Sequence, residues 1–230
     1  MAETLRGLAP LLRLPLMARL LKRAGGGGQR VYLTGGYLRD FFLRRRPKGE
    51  LDLTVADPSA LLGDFPLAPG ESAFLMDAGR ETWRIVLPPV TPFRFLDVTR
   101  LRGATIDEDL RLRDFTVNAL AVEISTAGPA GPLLDPAGGR EDLDAGILRA
   151  CHPGAMKDDP LRALRGVRFL AGLGFTADGD TFAHMGKAGG DLQGVSGERI
   201  RDELFQILGG PAPDRGLWTI GELGLLRFLG

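Results

Sequence analysis

The sequence predicts an α+β protein in which a mixed α/β N-terminal unit precedes an all-helical C-terminal unit. Two observations predict this class. Short runs of β-favouring residues, bounded by glycine and proline, dominate the first part of the chain. After about residue 138, apolar residues instead recur at helical spacing. A length of 230 residues suits one large or two small domains. We therefore expect one domain over 1–137 and a second over 138–230.

The first unit is expected to contain a small mixed β-sheet flanked by helices. Apolar residues over 8–23 repeat at helical spacing with a break near Pro15, and the glycines at 25–28 predict a flexible joint. A second helix is expected over 37–46. The runs that predict strands are 31–34, 51–55, 73–76, 83–87, 93–98 and 119–124.

The second unit is expected to contain helices alone. The periodic segments that predict them are 141–148, 161–173, 181–187, 198–208 and 215–228. Asp159 followed by Pro160 is typical of an N-cap with proline at the first helical position. Ser196 is expected to cap the helix that begins at Gly197.

Composition excludes several classes of site. A single cysteine, Cys151, excludes an internal disulfide framework and a clustered cysteine zinc site. No apolar run approaches the roughly 18–20 residues that span a bilayer, so we expect a soluble, cytoplasmic protein without a membrane partner. The net charge is zero, but residues 1–48 carry eleven Lys/Arg against two acids, a balance of +9. That asymmetry is compatible with a nucleic-acid partner. Only four of the 29 basic residues are lysine, and this excess of arginine suits phosphate binding or equally reflects a GC-rich genome.

The segment GGYLRD, from Gly35, places two glycines between a predicted strand and a predicted helix. Glycines at such a junction let a phosphate approach the backbone N–H groups at the helix N-terminus. Arg39 in the first helical turn is suited to a charge-assisted contact with the same anion. The spacing matches neither the dinucleotide nor the Walker fingerprint, and a simple tight turn is the alternative.

Three acidic residues lie on predicted strands. Glu50 and Asp52 are two residues apart, so their carboxylates point to the same face of one strand. Magnesium favours one or two carboxylates together with substrate phosphates. Asp97 lies on another predicted strand, and three carboxylates on adjacent strands beside a phosphate-binding turn would form a two-metal phosphoryl-transfer site. A solvated strand edge is the alternative for the first pair.

Two further segments carry polar residues with candidate binding roles. Arg113, Asp114 and Asn118 precede an apolar strand and are suited to phosphate and sugar hydroxyls, or they belong to a charged turn. On the helix after Pro160, an acid and an arginine one turn apart are suited to the edge of a nucleobase. The alternative is the solvent side of an amphipathic helix. The residues in question are Asp159, Arg162, Arg165 and Arg168.

Taken in order, these segments resemble the class II tRNA nucleotidyltransferase and bacterial poly(A) polymerase family. The resemblance extends from about Val31 to the C-terminus. It rests on six motifs in the family's order: GGYLRD from Gly35, ELD from Glu50, RDFTVNAL from Arg113, DPAGGREDL from Asp135, DDPLR from Asp158 and VSGERI from Val195.

The resemblance implies a polymerase β-like nucleotidyltransferase head followed by a helical neck. It also implies magnesium-dependent, template-independent addition of C and/or A to the 3′ end of RNA, with tRNA as the expected partner. Glu50 and Asp52 would hold two Mg²⁺ ions. Asp97 would help to activate the RNA 3′-hydroxyl. CTP and/or ATP would be the substrates and pyrophosphate the product.

The resemblance also implies a set of nucleotide-binding residues. Gly36 and Arg39 would hold the triphosphate, aided by Arg113. Asp114 would lie near the ribose, and Asp159 with Arg162 would pair with the base edge. The full set is Gly35, Gly36, Arg39, Asp40, Arg113, Asp114, Asn118, Asp159, Arg162, Arg165 and Arg168.

Four departures from the family pattern bear on activity. Glu50 stands where the family has Asp, Leu112 replaces an arginine, and Asp158 replaces a glutamate. Only four residues, 101–104, occupy the place of the longer flexible loop that CCA-adding members have and CC-adding members lack. We also expect weak RNA affinity, because the family's body and tail helices have no counterpart in the sequence.

Two alternatives to a CCA- or CC-adding enzyme follow. One is a poly(A) polymerase of the same fold, against which the missing poly(A) signature near 84–87 argues. The other is a non-catalytic nucleotide- or RNA-binding remnant, which Glu50 and Leu112 favour.

Overall fold

A computed structural model of the chain describes residues 5–46 and 49–229. The chain divides into two compact units. The first extends to Leu110 and resumes over Asn118–Pro136, and the second combines Arg111–Val117 with the chain from Ala137 onward. The short segment Arg111–Val117 therefore packs with the helical unit, although the chain on both sides of it belongs to the first unit.

The first unit contains a mixed β-sheet, as the sequence predicts. Within the described residues the sheet has seven strands in the order β3-β4-β5-β2-β1-β6-β7, and β2 pairs with β5 in parallel while the other pairs are antiparallel. The strands are β1 (Val31–Thr34), β2 (Glu50–Val55), β3 (Ser72–Asp77), β4 (Thr82–Val86), β5 (Phe95–Arg100), β6 (Ala121–Ser125) and β7 (Gly128–Leu134). The edge strand β7 was not predicted, because its glycines and prolines disfavour strands.

The helices of the first unit are α1 (Ala9–Leu12), α2 (Pro15–Gly26), α3 (Gly36–Phe42), α4 (Pro58–Leu62) and α5 (Ile106–Arg111). Pro15 begins α2, where its missing N–H costs nothing. Gly25 and Gly26 continue that helix, so the flexible joint predicted at 25–28 is wrong for these two residues. Helix α3 ends at Phe42, earlier than expected, and Arg44 has a positive φ of 54°.

The two faces of β2 differ in burial, and this difference positions the polar residues. Leu51, Leu53 and Val55 are almost completely buried on one face. On the other face Glu50 is exposed and Asp52 half-buried, while Thr54, farther along the strand, is buried. Burial of each large aliphatic side chain contributes roughly 1.5–3 kcal/mol, so the apolar alternation fixes which face the carboxylates occupy.

The second unit is helical apart from one short parallel pair of strands, β8 (Ile147–Leu148) with β9 (Thr176–Ala177). Helices α9, α10 and α11 contact α8. The six helices are α6 (Gly139–Ala145), α7 (Ala155–Asp158), α8 (Arg162–Leu173), α9 (Gly179–Lys187), α10 (Gly197–Leu208) and α11 (Pro213–Glu222), counted over the described residues.

Helix ends in this unit differ from the predictions where glycine adopts a left-handed conformation. Gly146, with φ 67°, ends the helix predicted over 141–148, and Gly224, with φ 65°, follows the end of α11. Helix α8 begins at Arg162, two residues later than the Asp159-Pro160 signal indicated. Ser196 occupies the N-cap position of α10, as predicted, but its side chain makes no capping hydrogen bond.

Two glycines on α11 provide a matched test of packing. A Cβ at Gly216 would collide with Cγ2 of Ile207, a β-branched side chain that has little rotamer freedom, whereas a Cβ at Gly221 meets nothing within 4 Å. We expect Gly216→Ala to lower the free energy of unfolding by about 1–3 kcal/mol. We expect Gly221→Ala to leave it unchanged or to raise it by up to about 1 kcal/mol. Urea titrations of both variants check this, and equal effects would contradict it.

Among the residues that the structure describes, no helix is long and apolar enough to cross a membrane.

Candidate active site

The three predicted metal-site carboxylates share one face of the sheet in the first unit. Asp52 on β2 lies directly opposite Asp97 in the parallel register with β5. Glu50 lies two residues before Asp52 and therefore points to the same face. Neighbouring strands are about 4.8 Å apart, so Asp52 and Asp97 are close neighbours on that face. We call this surface the carboxylate face, defined by Glu50, Asp52 and Asp97.

Asp97 is held by an arginine that sequence reasoning missed. Arg84 on β4 lies opposite Asp97, donating from Nε to Oδ1 at 2.8 Å and from Nη2 to Oδ2 at 2.7 Å. This hydrogen bonding raises the pKa of Arg84, while burial acts in the opposite direction. A bidentate contact fixes the position of the carboxylate. The available signal was an arginine at a polar-facing position of the predicted strand 83–87.

The glycine turn approaches the carboxylate face from β1. Gly35 precedes α3 with φ 72°, a conformation that favours glycine. A Cβ at this position would lie 2.7 Å from Oδ2 of Asp52. Glycine is therefore required here both by the backbone conformation and by the close approach to a predicted metal ligand.

Arg39 lies inside a buried polar network of the first unit. Its Nε donates to Oδ1 of Asp40 at 2.8 Å, and its Nη1 donates to Oδ1 of Asn118 at 2.9 Å. All three side chains are buried. Three residues that the sequence assigned to nucleotide binding thus hold one another, and they join α3 to the segment before β6.

Arg162 is the central polar residue of the second unit. Its side chain is buried, and it donates to the backbone carbonyl groups of Leu112 at 3.3 Å, Arg113 at 3.2 Å and Ala155 at 3.1 Å. These bonds explain why Arg111–Val117 packs with the helices. The bond to Ala155 also satisfies a buried carbonyl oxygen that would otherwise cost free energy.

Two other predicted residues of α8 also have protein partners. Arg165 forms an ion pair with Asp114 at 2.8 Å, and Nε of Arg168 donates to Glu203 at 2.8 Å. The guanidinium of Arg168 lies 4.6 Å from the ring centroid of Phe169. The two arginines therefore have fixed orientations, one toward the Arg113-Asp114 segment and one toward α10.

Asp159 is paired as well, through a residue of α10. Its Oδ2 accepts a hydrogen bond from Nη2 of Arg199 at 2.8 Å. Arg199 belongs to the VSGERI motif, but no role was predicted for Arg199 or Glu203 from the sequence. Their four-residue spacing puts both on one face of α10, and this spacing was the signal that could have identified them.

The comparisons with known proteins concern both parts of the chain. The family described as Poly A polymerase head domain matches residues 31–149, which is just over half of the chain. The chain belongs to this family. A second family, described as probable RNA and SrmB-binding site of polymerase A, matches residues 174–229. The family resemblance inferred from the six motifs is confirmed.

Curated relatives of this family member carry names of tRNA enzymes. A CC-adding tRNA nucleotidyltransferase of Geobacter sulfurreducens is 41% identical over 199 residues, which cover 85% of this chain and 44% of that protein. An A-adding tRNA nucleotidyltransferase of Deinococcus radiodurans is 35% identical over 199 residues, covering 84% and 43%. The chain spans about half the length of the curated relatives it matches.

Solved structures of CCA-adding enzymes are also similar to this chain. The Thermotoga maritima CCA-adding enzyme complexed with tRNA_CCA is 27% identical, with a TM-score of 0.80, and covers 97% of this chain and 55% of that one. A complex of CCA-adding enzyme with CTP has a TM-score of 0.80 at 25% identity, covering 97% and 55%. The predicted head-and-neck fold class is confirmed.

Proposed function

We propose that the protein is a magnesium-dependent nucleotidyltransferase that transfers nucleotides from CTP or ATP to the 3′ end of RNA. The observation that carries this proposal is the carboxylate face, where Asp52 lies opposite Asp97 and directly beside Gly35. The names of the relatives support tRNA as the RNA. The CC-adding relatives support C as the first nucleotide added.

The carboxylate face fits magnesium. In the ranges 5–46 and 49–229, no group of three or more His, Cys, Asp or Glu side chains is arranged to hold a metal ion by itself. Magnesium, however, usually takes one or two carboxylates and completes its shell with phosphates and water. Glu50 and Asp52 would hold the ions, which when bound neutralise charge on the triphosphate. Asp97, oriented by Arg84, would help to activate the RNA 3′-hydroxyl.

Each unit would carry its own part of the nucleotide chemistry. In the first, the network of Arg39, Asp40 and Asn118 would hold α3 so that the backbone at Gly35 and Gly36 accepts the triphosphate. In the second, Arg113 would contact phosphate and Asp114 the ribose. These roles depend on positioning, which can supply several kcal/mol of the barrier reduction.

Selection of the base would depend on Asp159 and Arg162. The Asp159 carboxylate is engaged by Arg199, and Arg162 donates to backbone carbonyls. Pairing with a cytosine or adenine edge would require these side chains to exchange protein partners for the base. Arg165 and Arg168 would flank the nucleotide, held by Asp114 and Glu203.

The short connection after β5, at residues 101–104, supports addition of C without a switch to A. It is short and internally bonded: the backbone N–H of Arg102 donates to Oδ1 of Asp109 at 3.1 Å, and that of Ala104 donates to Oε2 of Glu108 at 2.6 Å. Asp109 is buried. A connection fixed in this way has little freedom to rearrange between successive additions.

An extension assay tests the proposed function and its base preference. tRNA transcripts that end before CCA, after C and after CC receive each nucleoside triphosphate separately. We expect C to be added to the first two transcripts and A not to be added to the third. Repeated addition of A would instead favour the poly(A) polymerase. CTP binding without extension of any transcript would contradict the proposed enzymatic activity. It would favour a non-catalytic nucleotide- or RNA-binding remnant.

The length of Glu50 should affect the magnesium requirement. Glutamate extends its carboxylate about 1.5 Å farther than aspartate, away from the position that the family's metal ligand occupies. We expect Glu50→Asp to lower the magnesium concentration for half-maximal transfer severalfold. A magnesium titration of both proteins measures this, and an unchanged or higher midpoint would contradict it.

A further inference from the structure

The carboxylate face continues outward across the two strands beyond Asp97. Arg84 on β4 lies opposite Asp97, and Phe74 on β3 lies opposite Arg84. Directly opposed residues share a face, so Phe74, Arg84 and Asp97 form a row at right angles to the strands. Phe95 lies on this face as well, two residues before Asp97 on β5. We call the surface formed by Phe74, Arg84 and Phe95 the outer platform.

The outer platform combines an exposed ring with a fixed guanidinium plane. Phe74 is 47% exposed at the edge strand of the sheet. The guanidinium of Arg84 lies 4.5 Å from the ring centroid of Phe95 and is held in place by Asp97. That of Arg94, which is exposed, lies 5.3 Å from the same ring. Unpaired nucleobases stack on such aromatic rings and guanidinium planes, and nearby arginines attract their phosphates.

The position of the platform favours the 3′ end of a single-stranded RNA over other partners. Phe74 lies two strand spacings, about 10 Å, from Asp97 along the row. A nucleotide whose 3′-hydroxyl lies at Asp97 would therefore have its unpaired neighbour within reach of Phe74. A protein strand that paired with the edge of β3 would bind through the backbone and would cover side chains on both faces. Phe74 and Leu75, which lie on opposite faces and are 47% and 45% exposed, would then be covered alike.

We propose that the outer platform binds the unpaired 3′-terminal nucleotides of the RNA acceptor, with Phe74 stacking on a base. This inference rests on the proposed function, because it names the place where the acceptor lies. It assigns an RNA contact to the sheet of the first unit.

Binding of a short 5′-fluorescein single-stranded RNA ending in CC, measured by fluorescence anisotropy without nucleoside triphosphate, tests the proposal. We expect Phe74→Ala to weaken binding about tenfold, since loss of one stacked base typically has an effect of this size. Phe74→Trp should bind as the wild type does. The matched control is Leu75→Ala, from the opposite face of the same strand, which should leave binding unchanged. In transfer assays the KM for RNA should rise in Phe74→Ala while the KM for CTP stays constant.

Wild-type affinity in Phe74→Ala, or an equal loss in Leu75→Ala, would overturn the proposal. If the alanine variant does not fold, Phe74→Leu replaces it, because leucine keeps an apolar side chain but removes the ring. RNA binding that depends on Phe74 in a protein that transfers no nucleotide would overturn the proposed function alone. Transfer with an unchanged KM for RNA in Phe74→Ala would overturn this inference alone.

Discussion

Asp52→Asn is expected to lower the rate of nucleotidyl transfer by about a thousandfold or more while the protein stays folded. The substitution keeps the size of the side chain but removes its negative charge, and the electrostatic stabilisation that a metal ion supplies amounts to several kcal/mol. Asp52 lies between Thr34 on β1 and Asp97 on β5, at the centre of the carboxylate face. Removing one of several neighbouring negative charges should not destabilise the sheet.

The measurement is a single-turnover transfer assay at saturating CTP, with thermal unfolding as a check of the fold. Asp64→Asn is the matched control, because Asp64 belongs to the same unit and its side chain is 84% exposed. The control should transfer at the wild-type rate. A rate in Asp52→Asn above a tenth of the wild-type rate would show that the carboxylate face is not the catalytic centre.

Gly35→Ala is expected to have the second largest effect, lowering transfer about a hundredfold. Alanine is disfavoured at φ 72°, and its Cβ would lie 2.7 Å from Oδ2 of Asp52. Relief of this contact moves either the carboxylate or the turn, and a displacement of about 1 Å in a catalytic site can cost about a hundredfold in rate. The backbone strain should also lower the free energy of unfolding by about 1–2 kcal/mol.

Gly28→Ala separates the effect of backbone strain from the effect of contact with Asp52. Gly28 also has a positive φ, 68°, but a Cβ there meets nothing within 4 Å. Gly28→Ala should therefore lose stability through backbone strain and keep its transfer rate. Urea titrations and the transfer assay on both variants measure this pair of effects. Equal losses of activity would show that backbone strain, and not contact with Asp52, disables the Gly35 variant.

Local sequence pattern was sufficient for the parts of the fold that depend on local chemistry. Alternation over Glu50–Val55 predicted which face of β2 carries the carboxylates, because burying Leu51, Leu53 and Val55 leaves one orientation only. The pattern was insufficient where pairing between distant segments decides the structure. Strand β7 forms despite its prolines because β6 supplies the pairing partner. The assignment of Arg111–Val117 to the helical unit depends on bonds from Arg162, 49 or more residues away.

In the candidate site, too, local motifs could be predicted from the sequence and contacts between distant segments could not. The residue types at the glycine turn and on β2 could be identified from short motifs. The partners of those side chains could not, since the pairs Arg84–Asp97 and Arg199–Asp159 join separate elements. Residues that the sequence assigned to ligands, above all Arg39, are engaged with other protein groups in the structure. Their proposed roles therefore combine ligand binding with positioning.

The most direct test of the central claim is incorporation of α-labelled CTP into a tRNA transcript that lacks CCA, by the purified 230-residue chain with magnesium and with EDTA. We expect label at the RNA 3′ end and release of pyrophosphate with magnesium, and neither with EDTA. A folded protein that binds CTP and the transcript, yet releases no pyrophosphate at any magnesium concentration, would contradict it.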